Sequence, residues 1–177
     1  MRPVPTHLRP ILVTLKSVRF PAGQSGVRGH LKCRCGSENF IVSYAADPIE
    51  ERGEHFLRTT EHEGRYFFIV KAECSQCAKV HVLLDSHSHG WEGLLCSSQE
   101  DRDALPPPFS LWDCPKCGNN SHAVTIEVGG DDRSEALLNG EGELDDTNWF
   151  DAFGSMNIEV KCSGECPPIT MAECETQ

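Results

Sequence analysis

The chain has 177 residues and a formal net charge of −11; 38% of its residues are hydrophobic, 24% are charged, and ten are cysteines. That length holds one medium domain or two small ones with a thin apolar core. No run approaches the ~20 apolar residues that span a bilayer, and the first residues lack the apolar stretch and cleavage site of a secretory signal. The expectation is a cytoplasmic protein without a membrane partner.

Residues 1–30 read as a basic N-terminal arm with one strand. Ile11–Phe20 alternates well enough for that strand, with Pro10 and Pro21 as its stops. Gly23, Gly26 and Gly29 then predict a flexible loop. Residues 1–35 carry seven basic residues and no acid. Such a stretch suits a nucleic acid or another polyanion. It equally suits docking on the acidic half of the same chain, or plain solvation. Phe20 is the sole Phe, Tyr or Trp in residues 1–39, which leaves little for base stacking.

Eight cysteines form four close pairs: Cys33 with Cys35, Cys74 with Cys77, Cys114 with Cys117, and Cys162 with Cys166. Thiolates two to four positions apart reach one ion from a tight turn, and a second pair completes a tetrahedral shell. Gly36 and Gly118 follow two of the pairs, where such a turn needs positive φ. A disulfide framework would require an oxidising compartment. A redox Cys-x-x-Cys would require a strand-to-helix context. The pattern therefore predicts two Zn2+ per chain, each closed by four thiolates and structural in role. Iron is the alternative metal.

The chain also repeats itself. Leu31-Lys-Cys-Arg-Cys-Gly is followed by the apolar runs Phe40–Tyr44, Tyr66–Cys74 and Val80–Leu84. Trp112-Asp-Cys-Pro-Lys-Cys-Gly is followed by Ala123–Val128 and Met156–Cys162. These β-branched, partly alternating runs predict strands. The connecting stretches Ala45–Gly64 and Gly129–Gly154 predict loops or irregular excursions, in which Phe56-Leu57 and Trp149-Phe150 fold back as short pieces. Aligning the Val-Lys steps at 70–71 and 160–161 sets Cys162 opposite Ala72, which predicts a shifted second knuckle with Cys174 as a reserve ligand.

Each copy resembles a zinc ribbon, the family in which two cysteine knuckles on β-hairpins clamp one zinc; Cys114-Pro-Lys-Cys117-Gly118 is the strongest match. The resemblance covers residues 31–84 and 112–174. It implies a mainly β protein of two ribbon-like units in tandem, each a small antiparallel sheet. The expected boundaries are a first ribbon at 31–96, a Pro-rich linker at 97–111 and an acidic second ribbon at 112–177.

Between the copies, His81, Asp85, His87 and His89 suggest a second kind of metal site able to activate water. They equally suit a polar turn after the Val80–Leu84 strand, with Trp91 packed over the sheet. Cys96 lies in an apolar run and reads as a buried thiol. No Gly-x-Ser-x-Gly, Walker loop, Rossmann glycine pattern or His-Glu-x-x-His occurs.

The leading expectation is a non-catalytic zinc protein acting through protein–protein contact. Its acidic second half would face a partner with a basic surface, in the manner of an inhibitor or toxin-neutralising protein. One alternative is a nucleic-acid-associated ribbon using the basic arm with Arg34, Lys71 and Lys79. The other is a metal hydrolase at the histidine cluster.

Overall fold

The computed structural model of the protein describes residues 4–5, 7–19, 25–89, 103–129 and 155–175. It is mainly β. The apolar runs of the first copy form strands β3 (Phe40–Ala45), β8 (Ile69–Cys74) and β9 (Val80–Asp85); those of the second form β11 (Ser121–Gly129), β12 (Ser155–Cys162) and β13 (Ile169–Glu175). Each triplet is an antiparallel meander. Inward residues alternate with half-buried ones, as in Phe40, Val42 and Tyr44 of β3 and Met156, Ile158, Val160 and Cys162 of β12.

Strand register fixes how the copies correspond. Phe40 pairs with Cys74, and His122 pairs with Cys162. The second and third strands of each meander slip by a bulge, at Val70/Lys71 and at Ile158/Glu159. Both landmarks make Cys162 the counterpart of Cys74, and the bulges fall at corresponding positions. The alignment on the Val-Lys steps is therefore wrong, because matching dipeptides says nothing about which residues face each other across a ladder.

The two meanders join directly. Ser121 and His122 of β11 pair with Ile41 and Phe40 of β3. Phe40 and His122 are counterparts, so this antiparallel pairing places an approximate twofold axis between them. The same axis relates two further strands. The strand before the first knuckle, β2 (Ser25–Leu31), pairs with β11 through His30 and Thr125. The strand before the second, β10 (Ser110–Leu111), pairs with β3 through Leu111 and Ser43. Each unit's leading strand thus completes the sheet of the other, and one nine-stranded sheet runs through both.

The glycines at 26 and 29 lie inside β2 rather than in a loop. β2 is flanked by β11 and by β1 (Leu12–Arg19). Backbone partners on both sides override glycine's poor strand propensity. The single strand expected over Ile11–Phe20 is present as β1.

Ala45–Gly64 is likewise no irregular excursion. β4 (Asp47–Glu51) and β5 (Glu54–Arg58) form one hairpin, and β6 (Thr60–His62) with β7 (Arg65–Phe67) forms another. Their turns, Arg52-Gly53 and Glu63-Gly64, have positive φ at both positions, the signature of two-residue hairpin loops. Phe56-Leu57 accordingly lies in a strand, β5. Gly129–Gly154 lies, apart from Gly129, outside the described residues, as do Trp91 and Cys96.

A large apolar cluster holds most of the described fold, beside a smaller one of Ala45, Phe67 and Ile69. The large cluster joins Phe40, Val42 and Leu83 of the first copy to Ile126, Ile158 and Met171 of the second, and to Leu8 and Ile11 of the N-terminal segment. Within 97–111, residues 103–109 have no regular structure, and Phe109 lies against Lys71, whose Nζ sits 3.8 Å from the ring centroid.

Candidate metal centres

Two groups of four thiols converge: Cys33, Cys35, Cys74 and Cys77 in one, and Cys114, Cys117, Cys162 and Cys166 in the other. Within each group all ligand atoms lie within 4.8 Å of one another. The backbone builds these knuckles by a repeated rule. At Cys74 the N–H of Ala78 donates to the Cys74 carbonyl, and the Cys74 N–H donates to Lys79 O. At Cys114 the donors and acceptors are Gly118, Cys114 and Asn119 in the same order. The residue after the second cysteine has positive φ in both, +55° at Ala78 and +71° at Gly118.

The Cys33 knuckle is the same turn made one residue shorter. Gly36 N–H donates to Cys33 O, Cys33 N–H donates to Ser37 O, and Gly36 has φ +96°. Having one residue between its cysteines therefore does not change how they are presented. The Cys162 side is anchored instead through its neighbour. Ser163 N–H donates to Ser121 O at 2.9 Å, as Ser75 N–H donates to Asn39 O at 3.1 Å in the first centre.

The sulfur spacing fits a tetrahedral ion. Zinc–sulfur bonds of about 2.3 Å imply sulfur–sulfur separations near 3.8 Å. Cys33 and Cys77 lie 3.5 Å apart, Cys35 and Cys74 3.5 Å, and Cys117 and Cys162 3.7 Å. These separations far exceed the ~2.05 Å of a disulfide, and all eight cysteines are free.

Electrostatics favour a cation at both places. Burial opposes the Cys74 thiolate, but backbone N–H groups of Cys77 and Gln76 outweigh it and bring its pKa down to about 6. Burial likewise opposes Cys114, and the Lys116 and Cys117 N–H groups bring it to about 7. Later ionisations meet crowding. A backbone bond from Lys79 favours the Cys77 thiolate, yet Cys33 and Cys74 push it up to about 12. Cys117 and Cys162 push Cys166 to about 12. A bound dication relieves this crowding and releases the remaining protons. In each centre one cysteine of each pair is buried (Cys33, Cys74, Cys114, Cys162), and Cys35, Cys77 and Cys117 are exposed.

Cys174 stands elsewhere. Its backbone pairs with Met156, six residues from Cys162 along β12, or ~20 Å at strand rise. Cys166 supplies the fourth thiol of the second centre.

In the histidine region, Asp85, His87 and His89 have hydrogen-bond partners within the fold. Ser86–His89 forms a one-turn helix, α1. His87 Nε2 lies 2.8 Å from Tyr66 O, and its ring lies 4.7 Å from that of Phe67. His89 Nδ1 accepts from the Asp85 N–H, and the His89 ring stacks on His7 at 4.0 Å. His81 sits edge-on to Phe40. Asp85 accepts from His87 N–H and the Ser88 hydroxyl.

Part of the basic stretch near the N-terminus is engaged within the chain. Arg28 pairs with Glu127 and Glu159 of the second copy, and Lys32 pairs with Glu38. One buried residue escaped the sequence reading. His122 is 1% exposed and lies between Phe40 and Cys162 in the sheet. Its signal was spacing, since it follows Cys117 as Phe40 follows Cys35. Compared with protein-family models, with curated proteins and with solved structures, the chain shows no significant match.

Proposed function

We propose that the protein is a non-catalytic, cytoplasmic zinc protein in which two zinc ions hold together a docking scaffold for a basic protein partner. The observation that carries the metal assignment is the saturation of both centres by four thiols each. Four thiolates leave no position for water or substrate, and such closed tetrahedral shells are structural zinc sites. When bound, zinc supplies cross-linking of the knuckles and no reaction chemistry.

The partner assignment rests on charge. Arg28 and Lys32 are neutralised internally, so part of the basic arm is already occupied. The hairpins β4–β7 expose Asp47, Glu50, Glu51, Glu54, Glu61 and Glu63 beside Arg52 and Arg58, with Arg58 paired to Glu51. The stretch Asp131–Asp151, outside the described residues, adds eight carboxylates against Arg133 alone. Such a field steers a cationic surface and raises its on-rate. An inhibitor covering a cationic site is one form this takes.

A second reading has its own observation. Arg34 and Lys79 both act electrostatically on His81, whose pKa is lowered first by burial and then by these two charges. That basic cluster on the first knuckle suits a nucleic-acid backbone.

Affinity capture from native cells, with and without nuclease, separates the two. A basic protein retained after nuclease treatment supports docking; loss of all partners supports the nucleic-acid reading. Changing Asp131, Asp132, Asp145 and Asp146 to Asn should slow association with the captured protein at low salt and leave zinc content unchanged.

A further inference from the structure

A cavity of about 380 Å³ lies at the seam between the two units. Tyr44 of β3 and Glu50 and His55 of the first hairpin line it from one side; Leu111, Trp112 and Asp113, just before the second knuckle, line it from the other. Its volume is in the range of small-ligand sites, which favour junctions of this kind.

Two aromatic rings and two carboxylates meet there. Tyr44 and Trp112 are buried, with ring centroids 6.1 Å apart and planes inclined at 70°. Glu50 and Asp113 are exposed, and neither has an ion-pair partner among the described residues. The Asp113 charge reaches the rings, since the Tyr44 pKa is raised by burial and then by Asp113. Among the described residues no lysine or arginine lines the cavity. Lys116 and Arg58 line a neighbouring cleft, and Arg58 is paired with Glu51. Leu111, 53% exposed, adds an apolar wall.

The fold does not require this chemistry. Ile126 follows His122 as Tyr44 follows Phe40, and Leu31 and Lys32 precede Cys33 as Trp112 and Asp113 precede Cys114. The approximate twofold therefore sets Ile126 and Leu31, both buried, where the cavity has Tyr44 and Trp112. It sets a lysine where the cavity has Asp113. Trp112 Nε1 is also buried without a hydrogen-bond partner, a cost that the counterpart Leu31 does not carry. Nor do Glu50, His55 and Asp113 gather as metal ligands. Among the described residues, only the two sets of thiols lie close enough together to share an ion.

Aromatic rings beside unpaired carboxylates attract an organic cation. We propose that this cavity takes a lysine or arginine side chain from a protein partner. The ammonium or guanidinium group sits against the Tyr44 and Trp112 rings between Glu50 and Asp113, and its methylene stem lies along Leu111. This rests on the reading of a basic partner for the source of the side chain, but not for the chemistry of the cavity.

The test uses the full isotope-labelled chain with both centres loaded with zinc. The probes are the capped tripeptides Gly-Lys-Gly and Gly-Arg-Gly, with Gly-norleucine-Gly as the uncharged control. At low ionic strength and millimolar peptide, the Trp112 indole N–H resonance and the Glu50 and Asp113 amide resonances should shift saturably with a cationic peptide and stay in place with the control. Glu50→Gln combined with Asp113→Asn should weaken binding about tenfold, within the combined range for two partly exposed charge pairs. Glu61→Gln combined with Glu63→Gln removes two carboxylates from the other hairpin and should leave binding unchanged. Zinc content should be the same in both variants as in the unaltered chain. Absence of a saturable shift with either cationic peptide overturns the proposal, as does equal binding of the norleucine peptide or equal weakening by the two double variants. If the cationic peptides bind as expected but nuclease removes every partner captured from cells, the basic-partner reading fails and the cavity assignment stands.

Discussion

Phe40 pairs with His122 where β3 meets β11, and each is the other's counterpart in its own unit. The approximate twofold between them makes each unit depend on a strand supplied by the other. Loss of one metal centre should therefore spread across the join. Cys74→Ser should remove the metal of the first centre. It should also lower the unfolding free energy of the whole sheet by at least ~3 kcal/mol, since metal binding to small sites is folding free energy. Zinc release from the second centre should follow the same unfolding transition as strand signals from the first copy. A second-centre transition unmoved by Cys74→Ser would show two independent units.

Ala78 occupies a left-handed position, φ +55°, that Gly118 fills in the corresponding knuckle. A Cβ there carries strain of about 1–2 kcal/mol, partly offset by the greater freedom of glycine in the unfolded chain. Ala78→Gly should stabilise the protein by about 0.5–1 kcal/mol. Urea unfolding checks this, with zinc content held at two.

Arg28 bridges strands through Glu127 and Glu159, and all three side chains are partly exposed. Such a network is worth roughly 1 kcal/mol and is weakened by salt. Arg28→Met should cost about that amount at low ionic strength and less at high. An effect independent of salt would mean that the arginine acts through packing.

His89 contributes a pH dependence of known sign. Burial and then the neighbouring His7 hold its pKa at about 3 instead of 6.5. Asp85 faces it from its own segment, donating its N–H to Nδ1. Below its ordinary pKa the unfolded chain binds a proton that the folded chain refuses, so stability falls as pH drops from about 6.5 toward 3. At one unit below that value the loss is about 1.4 kcal/mol. His89→Phe should lose less stability than the unaltered protein between about pH 7.5 and 5.5, by roughly that difference. Equal losses would show that His89 does not titrate on unfolding.

The cysteine pairs and the main strands were legible because their signals are local. Ligand spacing is set by one turn, and Phe40–Tyr44 or Met156–Cys162 alternates within a single strand. The rest depended on distant chain. Gly26 and Gly29 sit in a strand because β1 and β11 bond it from both sides. The turns Arg52-Gly53 and Glu63-Gly64 lack the Asn-Gly or Asp-Gly that announces a hairpin. The equivalence of Cys162 with Cys74 is a matter of ladder register, which a dipeptide match does not encode. His122 drew no notice because a single histidine in an alternating strand has meaning only beside its cross-strand neighbours.

Each of the two four-thiol centres should hold one zinc ion. Native mass spectrometry of the protein, purified without added metal or chelator and paired with elemental analysis, addresses this directly. The expected result is a single species carrying two zinc ions and eight deprotonated thiols, one from each of Cys33, Cys35, Cys74, Cys77, Cys114, Cys117, Cys162 and Cys166. A folded, metal-free species with disulfides among these cysteines would contradict it.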